Sequence, residues 1–360
     1  MNVIRVLSAL AAALALFSPL STSRGATIQM LGDRRLQPVD VSDDGSTVVG
    51  NGPSGGWRWR REGGLQNLGV SGVNGVSADG TVVIGHADDY RPYRWTASAG
   101  LRYTGFGGTG YGVSGNGQFV VGASNGAYRW SPTGGSRNLG LLSGYSQSVA
   151  TAVSFDGSVV VGEANGGTGE TKGWRWTSST GMRDLGRLPG SQGQVYPAGV
   201  SADGSRVIGT AVAAPEAGNN YNYRGFLWTQ QGSMEDLGRL PGMLGSWAED
   251  ISGDGTTVVG YSIAPGGSST KAFVWTRDQG MRELREVLAE MGTDLTGWTD
   301  LRSATGVSAD GSIVTGTGTL GPFIAVIPEP SATIGLLVSF AWFLTRRIHR
   351  TRSSWRSTNS

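Results

Sequence analysis

The chain has 360 residues with 61 glycines and 12 tryptophans, but no cysteine and only two histidines. The lack of cysteine excludes disulfides, iron–sulfur clusters, cysteine-ligated zinc and cysteine nucleophiles, and two histidines cannot form a three-histidine zinc centre. Seven of the 29 basic residues, but only one of the 27 acidic residues, lie outside residues 26–327. This segment is therefore net negative, and a nucleic-acid partner is not expected.

The first 25 residues have the features of a secretory signal peptide. Arg5 gives a positively charged start, Val6–Phe17 is an apolar run, and the small residues Ser23 and Gly25 suit a cleavage site. An apolar run this short is unsuited to a membrane span, which needs about 20 residues. We therefore predict that residues 1–25 are a signal peptide that directs export.

Residues 26–327 are built from one repeated unit. A V/I-S-x-[DN]-G motif occurs seven times, with its serine at Ser42, Ser77, Ser114, Ser154, Ser201, Ser252 and Ser308. Each motif precedes a β-branched run and an aromatic segment, and a hydrophobic pair before a glycine commonly follows. Because Asp-Gly and Asn-Gly favour tight hairpin turns, each repeat is expected to hold four short strands, A to D, as in a β-propeller blade.

The two ends of the repeat region predict how the blades form a ring. The seventh repeat has strands A, B and C but lacks strand D, because Pro328 intervenes, whereas Thr27–Gly32 looks like a strand D without a blade. Pairing of these segments would remove the open edges. We therefore predict an all-β fold, a seven-bladed β-propeller of four-stranded blades whose N-terminal strand closes the last blade. An open β-solenoid, two smaller units, and a ring of six or eight blades are the alternatives.

Three stretches of the repeat are distinctive in sequence. They are Val-Ser-x-Asp-Gly-x-x-Val-Val-Gly, a Phe-Val-Trp-like segment, and Asp184–Gly190 with its twin Asp236–Gly242. In these stretches residues 26–327 resemble the HAF family of bacterial extracellular repeats, although the histidine before Ala-Phe in that family is absent here from every copy. The resemblance implies an exported surface protein and specifies little chemistry.

One face of the predicted ring carries longer connections than the other. The A–B turns are short and uniform, whereas the B–C and D–A connections lengthen late in the chain. Such loops on a rigid scaffold commonly carry recognition, and aromatic rings beside amide and acid groups suit sugars. From the B–C connection Thr210–Gly225 we predict the ligand-binding residues Glu216, Asn219, Asn220, Tyr221 and Tyr223. From the D–A connections we add Tyr196, Trp247 and Trp298, and we expect a short amphipathic helix within residues 281–292.

Residues that recur once per repeat are expected to serve the fold. Packing between blades is predicted for Trp59, Trp95, Trp130, Trp176, Trp228 and Trp275. The turn aspartates lack the density of a calcium loop, so we predict no metal and no cofactor. Carboxylates for glycoside hydrolysis could come from Glu163, Glu170, Glu216, Glu249 and Asp250. Because nothing in the sequence pairs them, no catalytic residue is predicted.

The C-terminal segment has three elements in a fixed order. Pro328-Glu329-Pro330 comes first, the apolar run Ala332–Leu344 follows, and Arg346 and Arg347 come after it. In this order residues 328–347 resemble the PEP-CTERM sorting signal of bacterial exported proteins. The resemblance implies an exosortase as partner, a transient or retained membrane anchor, and a link to exopolysaccharide production. Residues 348–360 are then a basic cytoplasmic tail, and the alternative is a plain C-terminal anchor.

Together these features predict an exported protein of the cell surface or extracellular matrix. Its propeller is expected to be a non-catalytic binding module that associates with exopolysaccharide. The alternatives are a carbohydrate-active enzyme, either a glycoside hydrolase or a lyase, and a surface scaffold that binds another protein.

Overall fold

The computed structural model describes residues 25–105, 107–167, 169–191, 193–213, 223–231 and 234–328. The strands in chain order are β1 (Thr27–Met30), β2 (Gln37–Val41), β3 (Thr47–Gly52), β4 (Gly55–Arg60), β5 (Gly64–Asn67), β6 (Gly72–Val76), β7 (Val82–His86), β8 (Pro92–Thr96), β9 (Gly100–Tyr103), β10 (Thr109–Val113), β11 (Val120–Ser124), β12 (Gly126–Ser131), β13 (Gly135–Asn138), β14 (Gln147–Val153), β15 (Val159–Asn165), β16 (Thr171–Thr177), β17 (Gly181–Asp184), β18 (Val195–Val200), β19 (Arg206–Val212), β20 (Tyr223–Thr229), β21 (Met234–Asp236), β22 (Gly245–Ile251), β23 (Thr257–Ile263), β24 (Thr270–Thr276), β25 (Gly280–Glu283), β26 (Leu301–Val307), β27 (Ile313–Gly318) and β28 (Pro322–Val326). A 3₁₀ turn spans Pro265–Gly267, and helix α1 spans Leu284–Glu290.

These strands form seven four-stranded antiparallel sheets arranged in a ring, so the predicted seven-bladed β-propeller is confirmed. Blades 1 to 6 each take four consecutive strands, A to D, beginning with β2. Blade 7 consists of β26, β27 and β28, and β1 is its strand D. The pairs Thr27↔Val326 and Met30↔Phe323 define the register of this closing strand. The predicted closure of the last blade by the N-terminal strand is therefore confirmed.

Both ends of the propeller lie on one face. Strand β1 begins at Thr27 and β28 ends at Val326, and these two residues are paired. Ile313, the first residue of strand B, is also paired with Val326. The chain therefore enters and leaves on the face that carries the A–B and C–D turns, which we call the plain face. The B–C and D–A connections lie on the opposite face, which we call the raised face.

The repeated V/I-S-x-[DN]-G motif folds into the same turn in each blade. In blade 1 the Ser42 hydroxyl donates to Asp44 Oδ1 at 2.6 Å and accepts the Thr47 amide at 3.0 Å. Asp44 Oδ1 also accepts the Ser46 amide, and Gly45 takes a positive φ of 64°. Because Ser42 is almost fully buried, a hydroxyl that both donates and accepts leaves no polar atom unpaired there.

The same turns are joined to one another by backbone hydrogen bonds. The residue after each motif serine donates to, or accepts from, the equivalent turn of the next blade, and the series closes from blade 7 back to blade 1. The seven bonds are Asp43 N to Ala78 O, Ala78 N to Gly115 O, Asn116 N to Phe155 O, Phe155 N to Ala202 O, Ala202 N to Gly253 O, Asp254 N to Ala309 O, and Ala309 N to Asp43 O. This ring of amides fixes the radius of the propeller at its plain face.

The strand C aromatics pack between blades, as expected from their recurrence. Trp59, Trp95, Trp176 and Trp275 are buried, and Trp130 and Trp228 are half-buried against the core. The arginine between the aromatic positions reaches the next blade, because Arg175 Nε and Nη2 both donate to the Gly204 carbonyl, at 3.2 and 3.1 Å. Lysine lacks this planar fork, which gives a physical reason for arginine at these positions.

Blades 4 to 6 differ from the predicted arrangement. Their strands A to C extend for six or seven residues, against five or six in blades 1 to 3. Both ends of the predicted long connection Thr210–Gly225 are therefore strand, because β19 continues to Val212 and β20 begins at Tyr223. The predicted helix is confirmed as α1, which buries Leu284, Val287 and Leu288 on the raised face.

Candidate functional site

Three aromatic side chains form a row on the raised face, across blades 5 and 6. The Tyr223 and Trp247 ring centroids lie 4.8 Å apart with a 32° tilt, and the Trp247 and Tyr261 centroids lie 5.3 Å apart and nearly parallel. We call Tyr223, Trp247 and Tyr261 the aromatic row. All three side chains are half-buried, so each presents part of its ring to solvent.

The sheet register brings the row together. Trp247 in strand A and Tyr261 in strand B of blade 6 are direct cross-strand partners, which places their rings side by side. Tyr223 is the first residue of strand C in blade 5 and pairs with Val212 at the top of that blade. The row therefore stands on the extended ends of rigid strands, where its geometry does not depend on a loop.

A carboxylate lies beside the row. Glu249 follows Trp247 by two residues in strand A, at the point where a bulge shifts the register between Ala248 and Asp250. Burial raises the pKa of Glu249. Burial also raises the pKa of Tyr261 to about 12, with a further contribution from the negative charge of Glu249. Within the described part of the chain, no group donates a hydrogen bond to this carboxylate.

The bulge is a general feature that lines the central channel. Strand A of each blade shifts register at one equivalent residue, and the seven residues are Val39, Asn74, Tyr111, Thr151, Ala198, Glu249 and Thr305. The next position carries glycine or alanine in five blades but Asp40 in blade 1 and Asp250 in blade 6. The acidic character of the channel therefore comes from blades 1 and 6.

The channel encloses about 220 Å³ and is lined by four carboxylates, Asp40, Asp43, Glu249 and Asp250. No lysine, arginine or histidine is among the described residues that line it. Burial raises the pKa of Asp40 to about 6, and burial together with the charge of Asp40 raises the pKa of Asp250. The channel is thus a narrow acidic space that extends from the strand A bulges to the A–B turns of the plain face.

Asp40 and Asp250 are engaged in holding the blades together. Asp40 accepts the amides of Val41 and, in the next blade, Val76, at 2.7 and 2.9 Å. Asp250 makes the matching pair of bonds to the amides of Ile251 and Val307. Both oxygens of each carboxylate are therefore used by the backbone, whereas no such bond is made by the neighbouring Glu249 carboxylate among the described residues.

Of the four predicted ligand residues that the structure describes, two lie in the aromatic row and two lie elsewhere. Tyr223 and Trp247 lie in the aromatic row, although on strands and not on the predicted connections. Tyr196 also lies on strand A, in blade 5, and its hydroxyl donates to Gln194 Oε1 at 2.9 Å. Trp298 is 5% exposed and packs edge-on against Phe323 at 6.0 Å in the core, which corrects its prediction as a ligand residue.

The remaining predicted residues fall mostly outside the described part of the chain. These are Glu216, Asn219, Asn220, Tyr221, Glu329, Pro330, Arg346 and Arg347, together with nearly all of the predicted signal peptide. Pro328 is described and follows the last strand, outside any helix or strand. No helix among the described residues has the length and apolar character needed to cross a membrane.

The described acidic residues form no group that could hold a metal ion, and Glu163 and Glu249 lie on different blades. Among the described residues no three histidine or acidic side chains are grouped so that they could hold a metal ion. Glu163 lies on strand B of blade 4, where burial raises its pKa, whereas Glu249 lies on strand A of blade 6. The structure therefore gives no contact that joins these two candidates for hydrolysis.

Comparison with known proteins supports the fold. The chain matches no protein-family model, and no curated protein matches it. Among solved structures, an oligogalacturonate lyase from Vibrio parahaemolyticus is 13% identical with a TM-score of 0.57, over 86% of this chain and 95% of the lyase. An oligogalacturonate lyase in complex with manganese is 12% identical with a TM-score of 0.56 over the same shares.

A propeller of a different kind is similarly close. The β-propeller domain of Cps50 (Swd1) from Myceliophteria thermophila is 11% identical with a TM-score of 0.54, over 83% of this chain and 99% of that domain. At these identities the likeness concerns the fold alone. Function has to be argued from the side chains of this chain.

Proposed function

We propose that this chain is an exported protein of the cell surface or extracellular matrix whose raised face binds extracellular polysaccharide without cleaving it. The observation that carries the proposal is the aromatic row, three half-buried rings held on the extended strands of blades 5 and 6. Sugar rings present apolar C–H faces and hydroxyl groups, which suit partly exposed aromatic edges and faces beside a carboxylate acceptor. The predicted signal peptide and the resemblance to HAF repeats support export.

The test is retention of the purified exported protein on the producing cell's own extracellular polysaccharide. Trp247→Ala removes the middle ring of the row and should lower affinity by about tenfold. Tyr103→Ala is the matched control, because Tyr103 is also an exposed aromatic but lies on strand D of blade 2. Equal retention of both variants, or no retention of the parent protein, would contradict the proposal.

A carbohydrate-active enzyme is the second candidate, favoured by the raised pKa of Glu249 beside the row. A carboxyl group with a raised pKa is suited to donate a proton to a glycosidic oxygen. If this function holds, Glu249→Gln abolishes cleavage of the bound polysaccharide while retention persists. Retention without any release of shorter chains by the parent protein contradicts the enzyme and supports the binding module.

We also propose that residues 328–347 act as a PEP-CTERM-like sorting signal recognised by an exosortase. Glu329→Ala, or replacement of Arg346 and Arg347 by alanine, should then change the fraction of protein that reaches the surface. Unchanged distribution of both variants in fractionated cells would contradict this part of the proposal. A protein partner on the raised face, the third alternative, would be indicated by capture that survives complete removal of polysaccharide.

A further inference from the structure

We infer that the aromatic row accepts sugar residues without acidic groups and rejects uronic acids and other anionic sugars. The inference rests on the proposed glycan binding and adds the charge class of the ligand. It comes from the charged side chains described near the row.

An acidic side chain lies near the row. Glu249 is close enough to Tyr261 for its charge to affect the tyrosine pKa. Glu249 lines the central channel together with Asp250, Asp40 and Asp43. A sugar carboxylate on the row would lie near Glu249, beside protein walls that screen charge less than water does.

The positive charges near the row are used by the protein itself. Arg224, next to Tyr223 in sequence, is 6% exposed, and its Nη1 donates to the carbonyls of Tyr223 and Leu244 at 3.1 and 3.0 Å. Its Nε lies 3.8 Å from the Asp236 carboxylate. Arg239 also donates to the Leu244 carbonyl. Both guanidinium groups are therefore engaged with oxygens of the protein itself.

Recognition of an anionic sugar normally uses arginine or lysine that pairs with the carboxylate. Among the described residues, the charged side chain shown to act on the row is Glu249, which can accept hydrogen bonds from sugar hydroxyls and repels a sugar carboxylate. The row and its surroundings therefore favour a hydroxyl-rich uncharged sugar, and an amino sugar would gain further from the negative charge.

The test compares one polysaccharide in two charge forms. The producing cell's extracellular polysaccharide is prepared with its carboxyl groups reduced to alcohols, and separately with its primary alcohols oxidised to carboxylates. At low salt the exported protein should bind the reduced form about tenfold more tightly than the oxidised form, and 0.5 M salt should narrow the difference because the repulsion is screened.

Two variants connect the result to the structure. Glu249→Gln should narrow the difference in affinity between the reduced and the oxidised polysaccharide, because it removes the charge nearest the row. Glu62→Gln, an exposed carboxylate in the C–D turn on the plain face, should leave the difference unchanged. Equal binding of both forms by the parent protein, or tighter binding of the oxidised form, overturns the inference while the glycan-binding function stands. Binding of neither form nor of the untreated polysaccharide overturns both.

Discussion

The glycine that ends each strand B run gives the sharpest test of how the blades are built. In blade 6 this residue is Gly260, which pairs with Ala248 in strand A and Phe273 in strand C. A methyl group on Gly260 would overlap the carbonyl oxygen of Trp247 and would lie 2.9 Å from Cζ of the Phe273 ring. Displacing either neighbour is energetically costly, because the carbonyl belongs to the strand ladder and Phe273 is fully buried.

Gly260→Ala is therefore expected to destabilise the propeller strongly. Overpacking that side chains can relieve costs about 1–3 kcal/mol, and here the obstacle is backbone, so we expect about 3 kcal/mol or more. In a domain of this size that lowers the midpoint of thermal unfolding by on the order of 5–10 °C. Urea unfolding followed by circular dichroism, together with a thermal scan, measures both quantities.

Gly63→Ala is the matched control for this experiment. Gly63 lies in a C–D turn of blade 1, and its nearest neighbour to an added methyl group is the Arg60 side chain at 3.8 Å, an ordinary contact. Its substitution should change the free energy of unfolding by no more than about 0.5 kcal/mol. If Gly260→Ala is as stable as Gly63→Ala, close approach of strands A and B is not the reason for the repeated glycine.

Two further predictions concern the response of stability to pH. Hydrogen bonds from the Ser201 hydroxyl and the Ser205 amide lower the pKa of Asp203, although burial acts in the opposite direction. The stabilisation that Asp203 gives to the fold is therefore present at neutral pH and is lost as pH falls below about 4. Asp203→Asn copies the natural Asn116 turn of blade 3 and should fold normally. The free energy of unfolding of this variant should fall less steeply at acid pH than that of the parent protein. A steeper fall would contradict the assignment. Burial instead raises the pKa of Asp40 to about 6, so this carboxyl group destabilises the fold increasingly as pH rises from about 4 to 6. The difference in unfolding free energy between Asp40→Asn and the parent protein should shift in favour of the variant across that window, and a difference independent of pH would refute the sign.

The fold was predictable because its rules are local and repeated. A serine, an aspartate and a glycine within five residues specify the turn, and seven copies specify seven blades. The closing strand was predictable because Thr27–Gly32 matched the strand that the last repeat lacked. The ring of backbone hydrogen bonds between turns left no trace in the sequence, because amides are common to all residues.

The site was only partly predictable, because it depends on pairing between strands. Tyr223 and Trp247 were identified as aromatics that do not recur, but Tyr261 follows the glycine of strand B and was missed. Its one signal is that it lies opposite Trp247, which requires the register of blade 6. The prediction of Trp298 as a ligand residue was wrong because its polar sequence neighbours suggest a surface turn. In the structure Trp298 is enclosed by the core beside α1 and Phe323.

The entry and exit of the chain on the plain face separate both chain ends from the aromatic row. Thr27 and Val326 are paired at that face, so a tether formed by the residues after Val326 starts on the side opposite the aromatic row. If residues 328–347 anchor the protein as proposed, the aromatic row lies on the face of the propeller away from the point where the chain leaves it.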